Sequence, residues 1–367
     1  MLKSGLRFSR GSVLVRRGLV VFQFALSFIL IVGMIVVYRQ LNFIQTKNLG
    51  YDRDNLLYIP IEGNLVKNYA VFKQEATQMD GVLAVSKMRN SPTVIEHHTN
   101  SIEWEGKAPN SSVSFADAVV GYDFAKTMRL KLKEGRDFSA AYGRDSAGFL
   151  LNETAVAKIG YTDPVGKPIT WGRHKGVIIG VLQDFHFNSL HQAIDPLIVR
   201  LDEDWSWGTI LVRVKGNRTA AVLAGLQKLC KSLNPKFPFS YSFSDEEYAR
   251  LYRSEQVVSQ LSNGFAFLGI FISCLGLFGL AMFTASQRTK EIGVRKVLGA
   301  TIYNIASLLV ANFLKPVLLA IILAIPLSRY FMQNWLDGFA YRIEIQWWMF
   351  GLAGLLAVGI AMLTVGV

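Results

Sequence analysis

Two cysteines and five histidines in 367 residues leave little room for a disulfide framework or a metal centre. Cys230 lies in an expected external helix and Cys274 in an expected membrane span, which predicts two free, buried thiols. His97 and His98 are adjacent, and Asp184, His186 and His191 are near in sequence, but neither spacing follows HExxH or a four-ligand zinc pattern. Hydrogen-bonded or solvated histidines are expected, with no metal and no catalytic residues. A nucleotide loop is also missing. The nearest stretch, from Gly160 to Pro168, has the wrong glycine spacing and places Pro168 where the Mg²⁺-binding hydroxyl belongs.

Charge is absent from long runs. Residues 18–38 carry none, and at about 1.5 Å per residue such a run crosses a hydrocarbon core of about 30 Å. Residues 257–287 and 347–367 are equally uncharged. The region 302–332 is interrupted by Lys315-Pro316, which predicts one span over 312–332 preceded by a helix near the membrane surface over 302–309, with Lys315 snorkelling to the headgroups. The excess of Lys and Arg, net +12, sits largely where topology demands it: Lys3, Arg7, Arg10, Arg16 and Arg17 precede the first run, and Arg288, Lys290, Arg295 and Lys296 follow the second. Both segments are therefore expected in the cytoplasm, nucleic-acid binding is not expected, and the first span reads as an uncleaved signal-anchor.

The expected organisation is a basic cytoplasmic segment (1–17), a first span (18–38), an external domain (39–263), a second span (264–284), a cytoplasmic loop and helix (285–311), a third span (312–332), a short external loop (333–346) and a fourth span (347–367). The fold class is an α-helical membrane protein with four transmembrane helices and a large external α+β domain between the first and second, periplasmic on the resemblance named below. Roughly 220 external residues exceed the usual domain size of about 100 to 150, which predicts two subdomains. A strand over 55–61, a helix over 66–78 and a strand over 82–88 form one β-α-β unit; 209–215, 219–233 and 239–243 form a second. Paired units of this kind suggest a split, ferredoxin-like subdomain, with a mostly β subdomain inserted over about 137–201, including a short strand at 176–182. Residues 245–263 place Tyr248, Leu251, Tyr252 and Val258 at helical spacing, as a rigid stalk running straight into the second span.

Small residues on the spans (Gly269, Gly276, Gly279, Gly351, Gly354) serve packing within the subunit or dimerisation, and Gln23 and Ser27 are placed to hydrogen-bond a neighbouring helix. The segment from Ala285 to Thr301 is basic and glycine-punctuated. A short helix there carries Lys290, Arg295 and Lys296, offers Ile292, Val294 and Leu298 for packing, and has Glu291 and Arg295 one turn apart, with Gly293 and Gly299 permitting close approach and a break.

Arg288 to Ala300, Arg17-Gly18-Leu19-Val20-Val21-Phe22-Gln23-Phe24 and Asn48-Leu49-Gly50-Tyr51-Asp52 together resemble the MacB/FtsX-like superfamily of ABC transporter permeases, over essentially the whole chain. The latter two stretches are similar to the start of the second unit of two-unit Bacteroidetes permeases, and the last apolar run ends at Val367 without a polar tail, so the expected whole is longer than this chain. The resemblance implies a multi-pass protein of the bacterial inner membrane whose periplasmic region comprises a porter-like and an inserted small domain, paired with a second permease unit as homodimer or pseudo-dimer. It implies a separate ATP-binding subunit that holds ATP and Mg²⁺, no cofactor on this chain, and mechanotransmission serving export or extraction of an amphipathic compound, peptide or lipoprotein. The docking surface it implies is Arg288, Lys290, Glu291, Ile292, Gly293, Val294, Arg295, Lys296, Leu298 and Gly299. Alternatives are an activator of a periplasmic cell-wall hydrolase or a membrane-anchored sensor.

Overall fold

The computed structural model describes residues 10–143, 145–287, 289–299 and 301–366. The chain forms two compact units: one spans Lys47–Tyr252, and the other is made by the segments before and after it.

The first helix, α1, runs Arg10–Thr46. The 47–252 unit begins with β1 (Leu56–Ile61), α2 (Leu65–Gln78) and β2 (Val82–Met88). It continues through β3 (His98–Thr99), β4 (Ile102–Trp104), β5 (Phe115–Val120), α3 (Phe124–Met128) and β6 (Leu132–Gly135). Next come β7 (Gly148–Asn152), α4 (Glu153–Ile159), β8 (Pro168–Trp171), β9 (His174–Leu182) and β10 (Leu197–Leu201). It closes with β11 (Gly208–Val214), α5 (Thr219–Leu233), β12 (Ser242–Phe243) and α6 (Ser244–Arg250).

The strands lie in the order β12-β1-β11-β2-β5-β10-β7-β9-β8-β4, with β3 on β5 and β6 on β9. In the first half of this sheet every pairing is antiparallel: β1 to β12, β1 to β11 with Leu57 opposite Val212, and β11 to β2 with Val212 opposite Val85. Helix α2 buries Leu65, Tyr69, Phe72 and Ala76, and α5 buries Val222, Leu226 and Cys230, each set at three-to-four-residue spacing. Both stripes close on Leu57, Ile59, Ile61, Ile210, Val212 and Val214, one alternating face of the strands. Each large apolar side chain buried there contributes about 1.5 to 3 kcal/mol.

The second half has its own core, from Ile102, Phe115, Val119, Phe149, Leu151, Ile178 and Ile198. Its sheet is mixed: β5 and β10 are parallel, as are β7 and β9, whereas β4 pairs antiparallel with β8. The halves meet in the ladder at a single register pair, Met88 opposite Val120. This corrects the limits expected for the insertion. A subdomain over 137–201 omits β4 and β5, which supply Ile102, Phe115 and Val119 to the same core through pairings with distant strands.

Three further expectations are corrected. The last strand covers only Ser242–Phe243 instead of 239–243, at the sheet edge after Pro238. The stalk is not one rigid helix: α6 ends at Arg250, a turn at Leu251 and Tyr252 follows, and α7 (Arg253–Gln287) starts anew. Residues 302–309 are no separate helix. After α8 (Thr289–Val297), α9 runs unbroken from Ile302 to Leu336 through Pro316 and Pro326, and α10 covers Trp347–Gly366. A proline inside a helix leaves one carbonyl without its donor, which packing among helices tolerates.

Four of these helices are long and apolar enough to cross a membrane: Gly18–Thr46, Arg253–Gln287, Phe313–Leu336 and Trp347–Val365. Their shared core holds Phe28, Ile31, Val32, Val36, Ala324 and Met349. Ser27 and Ser273 hydrogen-bond across α1 and α7 at 3.0 Å, near Gly269, where an added Cβ would lie 3.3 Å from the Ser27 hydroxyl. At Gly276 a Cβ would lie 2.5 Å from Gln23 Oε1, so that glycine packs inside the subunit, whereas Gly279 and Gly351 have open space beside them. Gln40 ties the turn between α9 and α10 to α1, donating to the Tyr341 carbonyl (3.1 Å) and accepting from Ile343 N–H (3.0 Å).

Candidate functional site

Helix α8 follows α7 almost directly in the chain. Only Arg288, which lies outside the described residues, separates it from α7. The carbonyls at a helix C-terminus lack intrahelical partners, and here hydroxyls supply them: Thr289 Oγ1 donates to the carbonyls of Ser286 (2.8 Å) and Ala285 (3.3 Å). Thr284 and Ser286 bond back to Leu280 and Met282 in the same way. Glu291 stands in the first turn of α8, where a negative charge complements the helix dipole. The far end is closed by Leu298 N–H donating to the Val294 carbonyl (3.0 Å) and by Gly299 at φ 93°, a left-handed conformation that favours glycine.

Of the expected docking residues, those from Lys290 to Lys296 fall on α8, and Leu298 and Gly299 form the turn after it. Lys290, Ile292 and Lys296 belong to its backbone, and their side chains lie outside the described residues. Glu291, Gly293, Val294, Arg295, Leu298 and Gly299 are exposed. No salt bridge among the described residues joins Glu291 to Arg295; both are solvated, and an exposed pair gains only about 0.3 to 0.5 kcal/mol. Val297, absent from the sequence-derived set, is the most exposed large apolar residue described, at 88%, beside Val294 at 60% and Leu298 at 80%. These three share one helical face by their i, i+3, i+4 spacing, a signal present in the sequence.

The other candidates are structural. Gly160 caps α4 in the left-handed conformation, and Gly166 N–H donates to the Ile178 carbonyl at 2.7 Å, so the 160–168 stretch turns the chain into β8. His97 Nδ1 meets Asp117, which also holds Arg89. Asp184 accepts from the Thr154 backbone (3.0 Å) and hydroxyl (2.7 Å), and His191 stacks on Tyr252 at 6.3 Å. Among the described residues no group of three or more His, Cys, Asp or Glu is placed to hold a metal. Cys230 is buried and its thiol pushed up to about 11 by that burial; Cys274 is half-buried rather than buried, and both are free.

A buried histidine and a half-buried aspartate give the 47–252 unit opposing responses to acid. Burial, assisted by the charge of Lys47, lowers His186 to about 4, and burial raises Asp137 to about 6. As pH falls from 6.5 to 4 the unfolded chain binds a proton at His186 that the folded chain refuses, so stability is lost, by at most about 3 kcal/mol. Asp137 takes its proton more readily when folded, so between pH 6 and 4 it offsets that loss. Thermal unfolding of the full chain at pH 7 and 4.5 checks this: Asp137→Asn should steepen the acid loss and His186→Asn flatten it. Equal slopes in all three proteins would refute the assignment.

The buried Arg213 was not foreseen either. It stands on the face of β11 opposite α2 and α5, where Nε donates to the Thr127 carbonyl at 2.9 Å and the remaining nitrogens to the carbonyls of Asp52 and Asp54. Burial pushes its guanidinium down from the ordinary value, with Asp52 opposing.

A family model described as the MacB-like periplasmic core domain matches residues 20–229, and one described as the FtsX-like permease C-terminal matches residues 263–367. The macrolide export ATP-binding/permease protein MacB of Aggregatibacter actinomycetemcomitans is 26% identical over 196 residues, which are 51% of this chain and 30% of that protein. Its namesake from Neisseria gonorrhoeae is 24% identical over 196 residues, with the same shares. Each match thus spans about a third of the relative's length. The crystal structure of the periplasmic region of MacB from Actinobacillus actinomycetemcomitans superposes at a TM-score of 0.41 and 18% identity, over 56% of this chain and 97% of that one. With its two family matches over residues 20–229 and 263–367, the chain belongs to the MacB/FtsX-like superfamily of ABC transporter permeases, as a multi-pass inner-membrane protein with a periplasmic domain.

Proposed function

We propose that the chain is the permease subunit of a mechanotransmitting ABC transporter, driven by a separate ATP-binding subunit that docks on α8. The observation that carries this reading is the exposed Val294, Val297 and Leu298 face on a nine-residue helix, flanked by Arg295 and set one residue beyond α7. Water does not favour such a face, and a charged rim around it suits a protein groove.

In this reading all four long helices cross the inner membrane, α8 faces the cytoplasm, and the 47–252 unit is periplasmic. Its β1-α2-β2 and β11-α5-β12 units form a ferredoxin-like, porter-type half, and the second half is the inserted subdomain. A second permease unit, as homodimer or pseudo-dimer, completes the assembly. The cargo class is an amphipathic compound, peptide or lipoprotein, moved by reshaping of the periplasmic unit.

Co-expression with ATP-binding subunits from the same genome, purification through a tag on this chain and assay in lipid test the reading. Vanadate-sensitive ATPase activity should co-purify. A folded chain that recruits no ATPase refutes it and favours a sensor.

A further inference from the structure

The 47–252 unit is joined covalently to α1 and α7 at its two ends, and both ends are tied to both of its halves. On the incoming side, the Leu49 carbonyl accepts from His186 N–H at 2.7 Å. Gly50 has φ +84°, and a Cβ there would lie 2.8 Å from Phe185 Cα, so its backbone rests directly on the 184–191 loop between β9 and β10 of the inserted half. Two and four residues later, Arg213 of β11 holds the Asp52 and Asp54 carbonyls, the tie to the other half. On the outgoing side, the Ser244 hydroxyl bonds Tyr58 of β1 at 2.8 Å, and the Tyr252 hydroxyl accepts from Leu190 N–H at 2.7 Å while its ring stacks on His191. Arg53 over the Tyr248 ring, at 4.8 Å, links the two ends to each other.

Each end therefore grips both halves, and the halves share a single register pair in their common ladder. We propose, on the transmitter reading above, that Tyr252 is the positioning residue that carries displacement of α7 into the inserted half through the 184–191 loop, as Arg213 carries displacement of the incoming segment into β11. Tyr252 is placed for this by sequence as well: it is the last residue before α7. A displacement of α7 reaches the 184–191 loop through the Tyr252 hydroxyl, bonded to Leu190, and its ring, stacked on His191.

The test is amide exchange on the full chain with its ATP-binding subunit in nanodiscs, with and without ATP and vanadate. Wild type should change exchange in both halves on trapping. Tyr252→Phe, which deletes only the hydroxyl, should keep ATPase activity and the response of β1 and β11, and lose about twofold or more of the response over residues 148–201. His191→Ala, which removes the stacked ring and leaves the hydrogen bond, should shift the same region in the same direction and covers the case in which Tyr252→Phe disturbs folding. A wild-type response over 148–201 in the folded variants overturns this route and leaves the transmitter reading intact. A wild-type complex with no response in either half overturns the transmitter reading and the route together.

Discussion

Val297→Asp with Leu298→Asp is expected to abolish co-purification of the ATPase while leaving the chain folded. Both residues are more than three-quarters exposed, so the substitution removes no packing from the subunit. In a partner groove the same side chains bury fully, which contributes about 1.5 to 3 kcal/mol each, and a carboxylate placed there adds a desolvation cost. The sum exceeds the about 1.4 kcal/mol that separates tenfold steps in affinity, so recovery of the ATPase should fall by about a hundredfold or more. Arg295→Glu should act differently. A rim charge mainly steers association, and its contribution is screened once the Debye length falls to about 8 to 10 Å at physiological salt. That variant should lose recovery several-fold at low ionic strength and recover part of it as salt rises. Undiminished ATPase in the double aspartate variant would move the docking surface off α8.

Much of the local structure is legible in the sequence. The strand at Val82–Met88 and the helix at Thr219–Leu233 have the limits that periodicity assigns, because each buries one face on one core. The α8 segment is legible from its charges and glycines, and Val297 from its spacing to Val294. What local pattern does not carry is pairing across distance. β4 and β8 are neighbours although more than sixty residues apart, which is why a composition shift near residue 137 misplaces the insertion. Lys315-Pro316 reads as a break on one strand of logic, the missing amide, yet α9 continues because neighbouring helices support it. Arg213 is illegible for a related reason. In Thr209-Ile210-Leu211-Val212-Arg213-Val214 an arginine at the alternate position reads as the solvent face, and only α3 and the 52–54 backbone, folded over that face, bury it.

That burial makes Arg213→Met the most damaging single change expected in the 47–252 unit. The side chain is 2% exposed, and its fork serves three backbone carbonyls, those of Asp52, Asp54 and Thr127. Methionine matches the stem but donates nothing, so three acceptors lose their donor, the Thr127 carbonyl at a fully buried residue; a buried acceptor left unpaired costs about 1 to 3 kcal/mol, and loss of one member of a buried charged network typically costs about 3 to 5 kcal/mol. Against a total of about 5 to 15 kcal/mol for a domain, this removes a large share of the stability. Arg213→Lys keeps the charge but not the planar fork, reaches fewer of the three carbonyls and should lie between. Arg218→Ala is the contrast: its bridge to Asp80, at 3.3 Å with both side chains more than half exposed, should cost under about 1 kcal/mol. Limited proteolysis of the full chain in lipid, followed at the 47–55 segment, ranks the three. The buried fork predicts cleavage in the order Arg213→Met, Arg213→Lys, Arg218→Ala, and equal protection in the first and last would show that the three carbonyls find other donors once the guanidinium is gone.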